Sequence, residues 1–276
     1  MTHILVPTDF SECSGFAEKA AVGIAKQMDA EIIFLHGLSI GVDWTKLPKD
    51  KESKYPEIKS QIGHAEQALD ERVKAAAGLG LRASKSIVYL EGYKSVSNTV
   101  LDRQHDLIVM GSHGKNVKTM VIGSNAGKIL RSARTPVLVV QNELPEPVTF
   151  KTIVFASGLE PDTHQAFDRL LEFTSKMGAE NLHLVEITTP NNFRPSGIVA
   201  EEMKKFITHH DYKTIWVHNY NHYNVEAGII EFAQKVDADL ISIANHGRTD
   251  ISSLFIESIP ENLVKYSDFP ILSIRV

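Results

Sequence analysis

The chain has 276 residues, enough for one large domain or two of ordinary size, and length alone does not choose. Hydrophobic residues at 43% and charged residues at 23% are globular values, which exclude bulk disorder. A net charge of -5 without any basic tract excludes a protein built to neutralise nucleic-acid phosphates.

The first predicted element is a strand over Ile4 to Val6, a short β-branched apolar run ending in Pro7-Thr8-Asp9. A helix is predicted over residues 12–28, and it carries the only cysteine, Cys13, which reads as an ordinary small residue near the helix start. A second strand runs from Glu31 to His36. Residues 41–56 then form a longer polar connection with Trp44, Pro48 and Pro56. In the next helix, residues 57–77, Ile58, Ile62, Leu69, Val73 and Ala76 recur at helical spacing, and Gly78 follows as a stop. Strands over Ser84 to Tyr89, Leu107 to Met110 and Val137 to Val140 complete the set, with helices at 93–103 and 124–134 between them. Asn142 to Pro147 is polar and proline-punctuated, a linker.

After the linker the plan restarts. Lys151 to Ala156 lies over Thr2 to Pro7, and the register holds without a gap to Ala179-Glu180 over Ala30-Glu31. Asp239-Leu240-Ile241 matches Asp106-Leu107-Ile108, and Pro270-Ile271-Leu272 matches Pro136-Val137-Leu138. Two repeats of about 140 residues follow, near the usual domain size, with expected spans 1–142 and 150–276. Apolar strands alternating with helices imply, in each half, a doubly wound α/β domain with a five-stranded parallel sheet of Rossmann-like type.

In such sheets, ligands bind beyond the carboxyl ends of the strands where the strand order reverses. Pro7-Thr8-Asp9 follows the first strand, and Gly111-Ser112-His113-Gly114 follows the fourth. Asp9 is suited to accept hydrogen bonds from ribose hydroxyls. Gly111 and Gly114 let backbone N–H groups approach phosphate oxygens, and Gly123-Ser124-Asn125 opens a helix whose N-terminus favours an anion. The same residues also read as a helix-capping aspartate, turn glycines and an N-cap serine. Spacing alone leaves both readings open.

The combined residues resemble the universal stress protein family. The resemblance rests on Ile4-Leu5-Val6-Pro7-Thr8-Asp9-Phe10-Ser11, Leu35-His36, Met110-Gly111-Ser112-His113-Gly114, Gly123-Ser124 and Thr135 to Val140, and it extends more weakly over the second half. It implies a tandem member with strand order 3-2-1-4-5, whose halves pair through their last strands as a pseudo-dimer. It further implies ATP or another adenine nucleotide as a regulatory ligand, with or without Mg2+. Asp9 would meet the ribose, and Gly111, Gly114, Gly123, Ser124 and Asn125 would surround the phosphates. Pro7, His36, Gly37 and Met110 would border the adenine. Thr8, Ser112 and His113 belong to the same two turns.

Two departures bear on the phosphates and the base. ATP-binding members space the motif G-x2-G-x9-G-[S/T], whereas only eight residues, Lys115 to Ile122, separate Gly114 from Gly123 here. One missing residue displaces an amide by up to roughly 3.5 Å. Gly37 also stands where the family has an apolar side chain. In the second half Gly158 replaces the aspartate, Ala244 the first motif glycine and Glu257 the glycine before the serine. A carboxylate there repels phosphate by about 1 to 4 kcal/mol at 4 Å, so the second half is expected not to bind ATP and to pack against the first.

Other constellations rank low. His209, His210, His218 and His222 are dense, but they have no H-E-x-x-H spacing. There is no P-loop motif and no G-x-S-x-G elbow, and no residue stands as an obvious general base, so a dedicated enzyme is not expected. The alternatives are an interaction module that binds no nucleotide and a weak nucleotide hydrolase using His113. No run of about 18 apolar residues and no signal-type amino terminus are present. A cytoplasmic protein is expected, with no nucleic-acid or membrane partner, and with a homodimer of tandem chains as a further possibility.

Overall fold

The structure is a computed structural model that describes residues 1–90, 95–113, 122–208, 210, 215–245 and 258–276. The first half comprises β1 (His3–Pro7), α1 (Glu12–Met28), β2 (Glu31–Ser39), α2 (Pro56–Gly78), β3 (Ala83–Leu90), α3 (Val96–Leu101), β4 (Leu107–Gly111), α4 (Ser124–Ser132) and β5 (Val137–Val140). The second comprises β6 (Thr152–Ala156), α5 (Thr163–Lys176), β7 (Asn181–Thr188), α6 (Ser196–Thr208), β8 (Ile215–Asn221), α7 (Val225–Lys235), β9 (Leu240–Asn245), α8 (Ile259–Tyr266) and β10 (Ile271–Arg275). The long connection before α2 contains a 3-10 turn at Lys49–Lys54.

All ten strands form one sheet of order β3-β2-β1-β4-β5-β10-β9-β6-β7-β8. Each half therefore has the order 3-2-1-4-5. Pairing is parallel except at the centre, where β5 and β10 run antiparallel with Ile271 opposite Val139, Leu272 opposite Leu138 and Ser273 opposite Val137. That pairing covers two edges that would otherwise expose unpaired backbone groups.

Strand residues alternate between two continuous cores. Ile4, Val6, Val109 and Leu138 face a layer with α1, α2 and α5, while Leu5, Ile108, Met110 and Val139 face a layer with α4, α7 and α8. Both layers run across the seam, and burial on both faces explains why the strands read as unbroken apolar runs. The linker is docked rather than loose. Val148 packs where a Cβ on Gly23 of α1 would stand, 2.5 Å from Val148 Cγ2, and the Gln27 side chain donates to the Val148 carbonyl.

The two halves are also tied by side chains. Glu261 of α8 is 1% exposed; it accepts from the Ser258 backbone N–H and hydroxyl, each at 2.9 Å, and pairs with Arg131 of α4. Its carboxylate takes up the space beside Gly127, where a Cβ would lie 2.8 Å from Glu261 Oε1. Arg275 Nη1 donates to the Arg131 carbonyl at 3.1 Å, and Asn245 Nδ2 to the Leu130 carbonyl at 2.8 Å.

The internal repeat slips by one residue at the start of β7. His3 pairs with Glu31, but Thr152 pairs with Asn181, because Glu180 and Asn181 both donate to the Lys151 carbonyl, at 2.8 and 2.9 Å. The doubled contact is a local bulge, and it moves each later residue of β7 one place along. Glu186 thus holds in the second half the place that His36 holds in the first, and Ile187 the place of Gly37.

Glu261→Ala strips three partners of one buried carboxylate, and we expect it to lower unfolding free energy by about 2 to 3 kcal/mol in urea titrations. A loss below about 0.5 kcal/mol, the range of an ordinary surface substitution, would contradict this. Burial drives His105 down to about 4 from its ordinary 6.5, so the fold favours the neutral ring. The His105 contribution is complete above pH 6.5 and is lost as pH falls through about 4. His105→Gln should flatten that limb of a stability-against-pH curve.

Candidate functional site

The site begins at the turn between β1 and α1. Thr8 N–H donates to the Leu35 carbonyl at 2.8 Å, extending the β1–β2 ladder by one residue. The Thr8 hydroxyl accepts the Phe10 N–H at 3.1 Å and donates to the Glu18 carboxylate. Phe10 then takes a φ of 61°, a left-handed conformation that costs a residue with a side chain about 1 to 2 kcal/mol. Ring contacts offset that cost: Phe10 stacks on His36 with centroids 4.3 Å apart, and Arg72, paired to Glu18 at 2.7 Å, lies 4.7 Å over its other partner, the Phe10 ring. The turn is a property of the fold, because Leu159 has a φ of 64° and donates to the Ser157 hydroxyl at 2.9 Å in the second half.

This turn sets Asp9. Its Oδ1 accepts from the Ser11 N–H at 3.0 Å and the Ser11 hydroxyl at 2.5 Å, and Ser11 in turn caps α1 by accepting from Ser14 N–H at 3.2 Å. Asp9 therefore both supports a helix cap and lines a cavity.

The β4 end supplies the opposite wall. Gly111 lies so close to α1 that a Cβ would fall 2.8 Å from Cys13 Sγ and 3.0 Å from its backbone carbonyl. Its lack of a side chain is required by packing, which is a different reason from the phosphate approach expected from the sequence. Ser112 is buried and does not line the cavity; its hydroxyl bonds His113 Nδ1 at 2.8 Å and its carbonyl accepts the Gly123 N–H at 2.8 Å. That last bond pins together the two ends of the shortened loop. Gly114 lies outside the described residues.

Gly123 is the N-cap of α4, and among the described residues no side chain caps the helix. The first N–H groups of an uncapped helix lack internal partners and carry the positive end of its dipole. Asn125 accepts the Ser97 N–H at 3.4 Å, which steadies the helix start against α3. Gly123 has room for a side chain among the described residues, where a Cβ would meet nothing closer than the Ser112 carbonyl at 3.5 Å, and its φ is -64°.

Between these walls lies a cavity of about 300 Å³, at the lower end of the range for small-molecule sites. The structure brings Pro7, Thr8, Asp9, His36, Gly37, Met110, Gly111, His113, Gly123, Ser124 and Asn125 to its wall. His36 Nδ1 is hydrogen-bonded to the Thr8 carbonyl at 2.8 Å, so that nitrogen carries the proton. Sequence reasoning missed Ser14, Val96, Ala126 and Ile129, which also line it. Val96 matters most, because a Cβ on Gly37 would fall 2.3 Å from its Cγ2. The apolar surface that Gly37 lacks is supplied by α3, a compensation with no signal in a linear spacing.

The second half holds a related cavity of about 210 Å³ with different chemistry. At Gly158 a Cβ would meet the Glu160 carboxylate, with Oε1 at 2.4 Å. Glu186, the counterpart of His36, is 4% exposed; Oε1 accepts from Arg194 at 3.1 Å, and Oε2 has no hydrogen-bond partner among the described residues. Burial raises the Glu186 carboxyl above the usual range, Arg194 opposes that rise, and Glu202 and Glu160 add to it. The N-terminus of α8 is closed by its own capping box, formed by Ser258 and Glu261. Ala244 ends the apolar wall, and Glu257 lies outside the described residues.

The histidines do not converge. His210 bonds Asp168 at 2.8 Å and His164 at 2.9 Å, His218 bonds His183 at 3.0 Å, His222 lies against Asn224, and His209 is outside the described residues. Among the described residues no group of three or more histidine, cysteine or carboxylate side chains is gathered for a metal ion. No described helix is long and apolar enough to cross a membrane.

Comparison with known proteins gives a consistent answer. The model of the universal stress protein family matches the chain twice, over residues 1–141 and 149–275. Two universal stress proteins of Methanocaldococcus jannaschii are similar to it. One is 29% identical over 155 residues, spanning 51% of this chain and 94% of that protein. The other is 31% identical over 149 residues, spanning 52% and 84%. The crystal structure of a universal stress protein from Archaeoglobus fulgidus superposes with a TM-score of 0.75 at 17% identity, covering 99% of this chain and 98% of that one, which shows a shared fold.

The two cavity glycines should respond unequally to alanine. Gly111→Ala drives a methyl into Cys13, and we expect a loss of about 1 to 3 kcal/mol. Gly123→Ala should stay within about 1 kcal/mol of wild type, since the weaker N-cap is offset by a less flexible unfolded chain. Thermal denaturation of both variants checks the pair.

Proposed function

The chain belongs to the universal stress protein family, and from that membership we propose that its first half, residues 1–142, binds an adenine nucleotide, ATP foremost, as a regulatory ligand in a cytoplasmic stress-response protein. The second half, residues 150–276, is the structural partner of that site. The observation that carries this reading is a contrast between equivalent helices. Among the described residues the α4 N-terminus has no side-chain cap, and it borders the cavity that also holds Asp9, whereas the α8 N-terminus is occupied by Glu261.

Within the first cavity, Asp9 is the acceptor for ribose hydroxyls. Pro7, His36, Gly37 and Met110 border the base, with Val96 supplying apolar contact. Thr8 holds the turn behind Asp9. Gly111 and His113 form one side of the phosphate end, with Ser112 buried behind them, and Gly123, Ser124 and Asn125 at the helix start form the other. A bound triphosphate brings negative charge that these N–H donors are suited to satisfy. Mg2+ fits as a companion of the phosphates, since it keeps several waters and needs few protein ligands. In this reading ATP acts as a regulatory ligand.

Calorimetric titration of the full chain with ATP and Mg2+ tests the reading. One site per chain is expected. Asp9→Ala should weaken binding about tenfold or more, the worth of hydrogen bonds to a charged acceptor. Gly158→Asp should add no second site, because the Glu160 carboxylate already lies in the space a side chain would enter. A flat titration with folded protein at high micromolar nucleotide would sink the proposal in favour of an interaction module.

A further inference from the structure

We propose that β8 is a self-association edge, where a second copy of this chain adds its own β8 antiparallel to the first and joins the two sheets. Because β5 and β10 pair with each other, the open edges of the ten-stranded sheet are β3 and β8. Among the described residues β8, Ile215–Asn221, pairs only with β7. Its outward N–H and C=O groups form a row that another strand can complete.

The two edges are built differently. On β3 the one exposed residue is Lys85, held by Asp70 at 2.7 Å, and Arg103 lies against the same strand through the Ser86 hydroxyl, also at 2.7 Å. Charge in the middle of an edge discourages strand addition. β8 has no Lys, Arg, Asp or Glu. Burial, with His183 and Lys235 adding to it, lowers His218 below its ordinary value, so the strand is uncharged at neutral pH. Its exposed mid-strand residues are Trp216 at 52% and Val217 at 42%. Consecutive strand residues point to opposite faces, so apolar surface stands open on both faces of this edge. A strand added in the plane of the sheet covers both; a helix lying on one face does not.

The occupant is a second copy because the edge is complementary to itself. Over Tyr220, α7 holds two charges of opposite sign: Glu231 accepts from the Tyr220 hydroxyl, and Lys235 lies 5.5 Å from the Tyr220 ring. They stand about one helical turn apart. A two-fold axis at Tyr220 reverses their order in the other copy, which turns Glu231 of each chain toward Lys235 of the other. The same axis sets Val217 opposite Tyr223 of the other copy, and Tyr223 is 90% exposed.

This inference requires nothing of either cavity and is independent of the nucleotide reading. The test is sedimentation velocity on the full chain over a concentration series, without nucleotide. A reversible dimer is expected. Val217→Lys, at an exposed position, should weaken association about tenfold or more, whereas Lys85→Gln on β3 should leave it unchanged. Lys235→Glu should also weaken it, and adding Glu231→Lys should restore it. Circular dichroism checks that each variant is folded, and Trp216→Lys replaces Val217→Lys if that variant unfolds. A chain that stays monomeric at high micromolar concentration overturns the proposal and leaves the edge to the strand of a different protein. A dimer that survives Val217→Lys, or one that Lys85→Gln abolishes, overturns it as well.

Discussion

The N–H groups that open the helix after the fourth strand have no partners within the helix, and the chain meets that constraint in two ways. In the second half Glu261 reaches back to Ser258 and closes the helix start with a capping box. In the first half the equivalent place is Gly127, which has no side chain to reach back, and α4 begins uncapped beside a cavity. The same carboxylate that closes one helix extends across the seam to Arg131 and rests against Gly127. One group therefore removes an anion site from the second half and braces the helix that could form one in the first.

Glycines that look equivalent in the sequence have unlike reasons to exist. Gly23 admits Val148 of the linker, Gly37 admits Val96, Gly111 admits Cys13 and Gly127 admits Glu261. Each satisfies a neighbour within the protein. Gly123 has ordinary backbone angles and space around its α-carbon, so the fold itself makes no such demand there. Its place in the motif points outward to whatever the cavity holds. That distinction bears on the second half as well, where Ile187 takes the place of Gly37 and packs against Gly228, so the bulk has moved from the helix to the strand.

The strands and most helices were legible because burial on both sheet faces writes unbroken apolar runs into the sequence, and because the second half repeats the first. The predicted helix at 12–28 and strand at 137–140 agree with the structure at both ends. Helix 93–103 is shorter in the structure, where α3 covers Val96–Leu101 among the described residues. Asp9 and Gly123 were legible as residues of one cavity wall because strand ends and the helix starts that follow them meet in this topology. Val96 and Ile129 were not, since their arrival depends on how helices lie across the sheet. The bulge at Glu180 and Asn181 was also hidden, because the ungapped match ends at that position. For that reason the buried Glu186 could not be assigned to the place of His36 from the sequence.

The antiparallel contact of β5 with β10 lies within one polypeptide. Two separate chains meeting along such an edge would associate and come apart with dilution, whereas halves joined by a docked linker meet at a fixed effective concentration. Their pairing is independent of how much protein a cell contains. It also fixes composition: every assembled pair has one Asp9 half and one Gly158 half, never two of either. Unlike cavities can then sit side by side in constant proportion, which self-associating identical domains cannot guarantee.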